Sequence, residues 1–367
     1  MKKPPAKKPA TRAPAPARRR TKQPILAISL GCPAGVGPEI ALAASAECSD
    51  GAPLLIGCSR VVLAAARLVG VERRVVLVDD VRAVRDLPAG SIAVWAPSRP
   101  LEAELRAGAP DRAAGAAQLA WIDEAMGLVA QGAAQALVTG PVSKHAIATS
   151  GVPGARSFRG HTEHLAERLG AREVVMAFWS EALVTALVTT HLPLAKVARA
   201  IRPEAVASTT YWLARLLRAL GRRAPAIAVA SLNPHAGEGG LLGREEIDAI
   251  APGIVQAESR LAKDGLRASL TGPLGAETAY RRAAARDFDG VVAMYHDQAT
   301  IPSKLVAFGD AVNVTLGLPI LRTSVDHGTA YDVAWRRTAD PRGMAGALAL
   351  AARLARSTAP PIATDRP

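Results

Sequence analysis

The stretch GVVAMYHDQATIPSK, residues 290–304, decides the fold. GVVAMY carries no charge and no polar alternation, which is the pattern of a strand buried on both faces of a parallel sheet. The core ends there, and His296, Asp297, Gln298 and Lys304 follow at once. Titratable side chains just past a buried strand stand where the loops of an open α/β sheet surround a crevice. The arrangement recurs in ALVTALVTTH (182–191) and AIAVASLNPH (226–235), which end in His191 and His235.

Outward from these three segments the same alternation continues. Strands are predicted at 25–30, 53–57, 74–78, 91–96, 135–140, 173–179, 182–190, 226–232, 290–295 and 311–317. Helices are predicted at 38–48, 59–69, 111–130, 161–169, 203–220, 243–263 and 342–356. Apolar strands alternating with amphipathic helices give an α/β protein with a mostly parallel sheet covered on both faces. The chain has 367 residues, enough for two domains or one large α/β unit. Hydrophobic residues make up 49% and aromatics only 4%, so the core is aliphatic. No apolar run is long enough to span a membrane.

The net charge of +13 is unevenly placed, since nine lysines and arginines and no acid lie within residues 1–23, leaving +4 for the rest. That basic, Pro- and Ala-rich segment cannot bury a core and reads as disordered. The charge therefore belongs to a tail, and no specific nucleic acid or membrane partner is expected. The apolar run ILAISL after the basic segment is too short for a signal-peptide core. Three cysteines, Cys32, Cys48 and Cys58, lack metal or redox spacing. A reducing cytoplasm fits both observations.

Three imidazoles meeting at strand ends are able to hold a divalent metal with a position left open for substrate. Their separations match no local metal motif, so a loop histidine that is merely hydrogen-bonded is the alternative. Other polar residues stand at strand ends: Thr139, Ser143 and Lys144 in QALVTGPVSK, Thr271 and Glu277 in SLTGPLGAET, Asn233 and Glu238 in SLNPHAGEGG. GHTEHLAERL opens a helix with Thr162 and Glu163 in its first turn, where anions are favoured. His161 reads as a single polar contact and His164 as a helix-surface residue. GCPAGVGPEI (31–40) is a tight strand-to-helix turn, but glycines at 31, 35 and 37 do not make the dinucleotide fingerprint G-x-G-x-x-G.

The strings GCPAGVGPEI, LVTGPVSK, GHTEHLAE, LVTTHLPL, LNPHAGEGG, GPLGAET, AMYHDQATIPSK and VNVTLGLPILRTSVDHGTA resemble, in the same order, those of the 4-hydroxythreonine-4-phosphate dehydrogenase family. The resemblance runs from about residue 25 to 356. It implies two α/β/α lobes with a central cleft, as in isocitrate and isopropylmalate dehydrogenases. Residues 1–24 would be the basic tail, 25–135 plus 311–358 a first lobe with the cofactor loop, 136–310 a second lobe with the metal and the dimer interface, and 359–367 a terminal tail. It implies a homodimer whose active site is shared, one metal ligand coming from the partner. Metal ligands would be His191, His235 and His296, holding Zn, Mg or Co. Substrate contacts would be His161, Thr162, Lys304, Asn313 and Arg322. HGTAYDVAWRRTADP is similar to the adenosine-holding loop of isopropylmalate dehydrogenases, which assigns His327, Gly328, Thr329 and Asp332 to NAD or NADP.

The implied substrate is a phosphorylated hydroxy amino acid, oxidised at its hydroxyl and then decarboxylated, with Lys304 and Asp297 as the catalytic pair. Departures are Cys32 where an acid is usual, Glu277 where Asp is expected near the metal, and Trp335 and Arg336 after YDVA where related loops have glycine. Arg336 or Arg337 beside the adenosine would favour a 2′-phosphate. The rival readings are a paralogous dehydrogenase of a sugar-acid phosphate or a cis-diol carboxylate, a nonredox metal hydrolase or lyase, and a nucleic-acid binder acting through the tail.

Overall fold

β1 (Ile25–Ser29) is buried at every position, as a strand with neighbours on both sides and helices on both faces must be. In the computed structural model, which describes residues 23–88 and 90–357, it is one of twelve strands in a single sheet. The tails expected at 1–24 and 359–367 lie outside the described residues, apart from Gln23 and Pro24. In chain order the elements are β1, α1 (Gly37–Glu47), β2 (Ala52–Ile56), α2 (Ser59–Val69), β3 (Val75–Val78), β4 (Ile92–Trp95), α3 (Arg112–Ala130), β5 (Ala136–Thr139) and α4 (Lys144–Ala148). There follow α5 (His161–Leu169), β6 (Val175–Trp179), β7 (Val184–Leu187), α6 (Leu194–Ala200), α7 (Pro203–Ala219), β8 (Ala226–Ala230), α8 (Ala251–Lys263) and β9 (Ser269–Leu274). The chain closes with α9 (Ala276–Ala284), β10 (Gly290–Ala293), α10 (His296–Val306), β11 (Val312–Leu316), β12 (Arg322–Val325) and α11 (Arg342–Ala355).

Local chemistry sets several boundaries. Asp111 caps α3 by accepting from the Ala114 amide at 2.8 Å. α2 and α5 stop at Gly70 and Gly170, both left-handed, where glycine carries no steric penalty. Pro203 opens α7, where its missing N–H is not needed.

The sheet order is β3-β4-β2-β1-β5-β12-β11-β6-β7-β10-β8-β9. It is mostly parallel, but β12–β11, β11–β6 and β6–β7 are antiparallel. The strands from β3 to β12 therefore run one way, and β7, β10, β8 and β9 run the other. One continuous sheet passes through both halves of the chain. β5, read as opening the second lobe, pairs with β1 on one side and β12 on the other.

Two strands escaped the sequence reading. β9 contains Gly272 and Pro273, both depleted in strands, and it lies at the sheet edge, where proline is tolerated. β12 reads RTSV, too polar for a buried strand, yet all four residues are buried at the sheet centre. Helices α4, α6, α9 and α10 also lie outside the predicted ranges. The helix expected from 243 starts as a single π turn, Glu246–Ile250, before α8.

Candidate active site

The central strands make a floor. Asn313 faces Ser324 and Thr315 faces Arg322 across β11–β12. Asn313 and Thr315 also face Phe178 and Met176 of β6, and Thr139 of β5 faces Ser324. Paired residues and alternate residues along a strand share a face. All seven side chains thus stand on one side of the sheet. A cavity of about 390 Å³ lies over them, walled by the loop after β5 as far as Lys144, the start of α5, His191, His296 and the segment Asp326–Gly328. The expectation that the polar residues share one strand edge needs correction. The two halves run in opposite directions, so the cavity crosses the face of the middle strands from one set of strand ends to the other.

Arg322 is 3% exposed. Its Nη1 donates to Thr315 Oγ1 and its Nη2 to Thr139 Oγ1, each at 2.8 Å. Burial lowers its pKa to about 10, with Glu163 opposing, so it remains a cation near neutrality. Neutral hydroxyls satisfy its geometry but not its charge, and its Nε has no partner. His161 Nε2 and Asn313 Oδ1 are likewise buried and unpartnered. Burial, with Arg322, His164 and Lys144 adding repulsion, pushes the His161 pKa well below its ordinary value. Thr162 Oγ1 lies 3.5 Å from Thr315 Oγ1. Buried polar atoms without partners, on and beside a buried cation, are exceptions that a polar ligand in the adjoining cavity would account for.

His191 and His296 leave the ends of adjacent parallel strands β7 and β10, and their ring centroids are 5.8 Å apart. Asp297 Oδ1 is 2.7 Å from His296 Nδ1, which leaves Nε2 of that ring free to ligate. His191 Nδ1 is 4.0 Å from Glu163 Oε1. Burial and Lys144 lower the His191 pKa while Glu163 opposes. Two imidazoles so placed suit a divalent cation that prefers nitrogen ligands. Among the described residues no three His, Cys, Asp or Glu come close enough to hold one.

His235 follows β8, the next strand on the same edge, but does not line the cavity. His235 through Gly239 form a run of left-handed residues, with His235 at φ 50 and Glu238 at φ 45. Each non-glycine residue so placed costs about 1–2 kcal/mol. The turn is anchored by Glu246, 3% exposed, which accepts from the amides of Leu232 and Asn233 at 2.8 Å. It presents His235 outward.

Gln298 is a structural residue. Its Oε1 accepts from the Met294 amide and its Nε2 donates to Ser231 O at 2.9 Å, tying β10 to the loop after β8. Lys304, two turns along α10, lies 3.7 Å from Asp326 Oδ2. Burial raises the Asp326 pKa and Lys304 opposes. Asp326 was not singled out from the sequence. Met176, Phe178, Thr315 and Ser324 were also missed, although the period of two in VNVTL and RTSV places the polar ones on one face.

His327 and Gly328 line the cavity and open the loop expected to hold the cofactor. The loop docks on the 31–40 turn. Thr329 O accepts from the Val36 amide at 3.0 Å, and a Cβ on Gly35 would come within 2.8 Å of that oxygen. Asp332 is exposed on the same loop. Cys32, buried, contacts Tyr331 Oη at 3.4 Å. Trp335 and Arg337 have φ of 61 and 60, and buried Glu39 accepts from both their amides, at 2.6 and 3.1 Å. The Trp335 indole donates to Pro33 O at 2.9 Å. The departure at Trp335 is therefore built into the packing. Glu277 is exposed, ion-paired with Arg281 at 2.9 Å in the first turn of α9, and does not line the cavity.

The family described as pyridoxal phosphate biosynthetic protein PdxA matches residues 50–351. The 4-hydroxythreonine-4-phosphate dehydrogenase of Desulfosudis oleivorans is 41% identical over 333 residues, 90% of this chain and 95% of its own. The crystal structure of a protein of the same name from Klebsiella pneumoniae aligns with a TM-score of 0.77 at 33% identity, over 91% of this chain and 100% of that one. A terephthalate 1,2-cis-dihydrodiol dehydrogenase from Burkholderia xenovorans aligns with a TM-score of 0.64 at 30% identity, over 90% and 98%. The resemblance first seen in eight ordered strings is thereby borne out: the chain belongs to the PdxA family of pyridoxal phosphate biosynthetic proteins.

Proposed function

We propose that the protein is a metal-dependent, NAD(P)-linked 4-hydroxythreonine-4-phosphate dehydrogenase. It oxidises 4-phosphohydroxythreonine to 2-amino-3-oxo-4-phosphooxybutanoate, which loses CO2 to give 3-amino-2-oxopropyl phosphate in pyridoxal 5′-phosphate biosynthesis. The observation that carries this reading is the trio of unpartnered buried groups, on His161, Asn313 and Arg322, beside the His191–His296 pair.

In this reading Arg322 meets an anionic group of the substrate, and His161, Thr162 and Asn313 fix its orientation through hydrogen bonds. His191 and His296 of one subunit, with His235 of a second, hold a divalent cation. When bound, the cation lowers the pKa of the substrate hydroxyl and the nicotinamide accepts the hydride. Asp297 fixes the tautomer of His296. Lys304 exchanges the proton or stabilises negative charge at the substrate oxygen. Thr329 and Asp332, on the loop that starts at His327 and Gly328, contact the adenosine side of NAD or NADP. The keto group β to the carboxylate accepts the electrons released with CO2.

A homodimer is part of the proposal. Large exposed apolar residues flank each histidine: Leu192 and Leu194, Leu241 and Leu242, Ile301 and Leu305. Solvent-facing apolar clusters at three points of one sheet edge fit an interface that brings His235 to the other subunit's pair. The cysteines are free thiols, which suits a reducing cytoplasm.

The test supplies purified protein, divalent metal, NAD+ and 4-phosphohydroxythreonine, and follows NADH together with the amine product. Both appear in equal amounts if the proposal holds. A second reading, a dehydrogenase of a cis-diol carboxylate, is favoured by the likeness to the terephthalate dihydrodiol enzyme. Running that diol in parallel decides between them, since the two substrates differ in the phosphate that Arg322 would meet.

A further inference from the structure

We propose that Asp326 is the positioning residue of Lys304, holding its ammonium at the mouth of the cavity; this rests on the dehydrogenase reading of the same site. Lys304 lies on an exposed part of α10, with its side chain 49% accessible. Such a lysine has a flexible four-carbon stem and, left alone, spreads its charge over a wide arc of solvent. Asp326 stands at the end of β12, four residues after Arg322 and immediately before His327 and Gly328. Its side chain is 22% exposed and lies 3.7 Å from the ammonium. Among the described residues Lys304 is the only lysine or arginine in ion-pair range of it.

The placement joins three parts of the site. Asp326 lines the cavity together with His296 and Arg322, while Lys304 sits just outside the lining. A carboxylate on the rigid strand end draws the mobile cation inward, toward the place where substrate oxygen would lie. A partly exposed pair of this kind adds little to folding stability, so its removal is read in turnover and not in melting temperature.

The test is a double-mutant cycle on kcat/KM with Asp326→Asn, Lys304→Ala and the combined variant. Asp326→Asn lowers kcat/KM about ten- to hundredfold, mainly through kcat, with the melting temperature unchanged. Adding it to Lys304→Ala brings no further loss, and Asp326→Glu recovers part of the activity. Losses that multiply in the combined variant, or an Asp326→Asn enzyme as fast as wild type, overturn the inference. If Asp326→Asn fails to fold, Asp326→Ser and Asp326→Glu complete the same cycle. A wild-type enzyme inert toward the phosphorylated substrate would count against the proposed function instead. The positioning claim is then read from the acetylation rate of Lys304 by mass spectrometry, with Lys196 and Lys263 as internal references. A rate unchanged by Asp326→Asn sinks it.

Discussion

His191 and His296 set their rings 5.8 Å apart at 43° because they leave the ends of two neighbouring parallel strands. Two imidazoles at this spacing leave a cation short of ligands. Dialysis against a chelator should abolish NADH formation, and a divalent metal should restore it. His191→Ala and His296→Ala should each lose bound metal by elemental analysis while keeping the wild-type circular dichroism spectrum.

The outward left-handed turn of His235 makes a sharper prediction about assembly. His235→Ala and His191→Ala are each expected to be inactive dimers. Mixed after reversible dissociation, they should regain about a quarter of wild-type activity, since half of the dimers are hybrids and each hybrid has one complete site. Absence of any recovery in hybrids confirmed by mass spectrometry would mean that each chain completes its own site.

Arg322 carries charge where the fold does not reward it. Its folded pKa, about 10, lies below the ordinary 12.5. Between those values the unfolded chain holds a proton that the folded chain has lost, so this group raises stability as pH increases there. Near neutrality both states are charged and the folded one bears the burial. Arg322→Met should therefore be as stable as wild type or about 1–3 kcal/mol more stable. Inorganic phosphate should raise the melting temperature of wild type and not of the variant. The KM for the phosphorylated substrate should rise about a hundredfold or more.

His161 is held neutral by burial, its pKa well below 6.5. As pH falls from about 6.5 toward that lowered value, the unfolded chain gains a proton that the folded chain refuses, and stability declines. The stability is fully present above the ordinary histidine pKa. His161→Asn should remove up to about 1.4 kcal/mol per pH unit of this slope. His191, also depressed, would supply part of what remains. Urea midpoints at about pH 7.5 and about pH 5.5 measure it.

The fold was legible where burial dictated composition. β1, β5, β8 and β10 are buried on both faces and read as unbroken apolar runs. β12 was hidden for the opposite reason, because Arg322 and Ser324 serve the cavity and disguise a central strand. The histidine edge was also legible, since β7, β10 and β8 are parallel neighbours. The direction of His235 was not, because backbone handedness at His235, Ala236 and Glu238 leaves no trace in side-chain type; only Gly237 and Gly239 hinted at it. Asp326 passed unnoticed in VDHGTA because a carboxylate gains meaning only from the lysine that folding brings to it.

The ladder from β5 through β12, β11 and β6 to β7 is unbroken. Hydrogen bonds thus cross the floor of the site from one half of the sheet to the other. A movement of one half against the other would flex the floor itself, as a leaf spring flexes under load. Work stored in bending β6, β11 and β12 on gripping a ligand would be returned when the two halves relax.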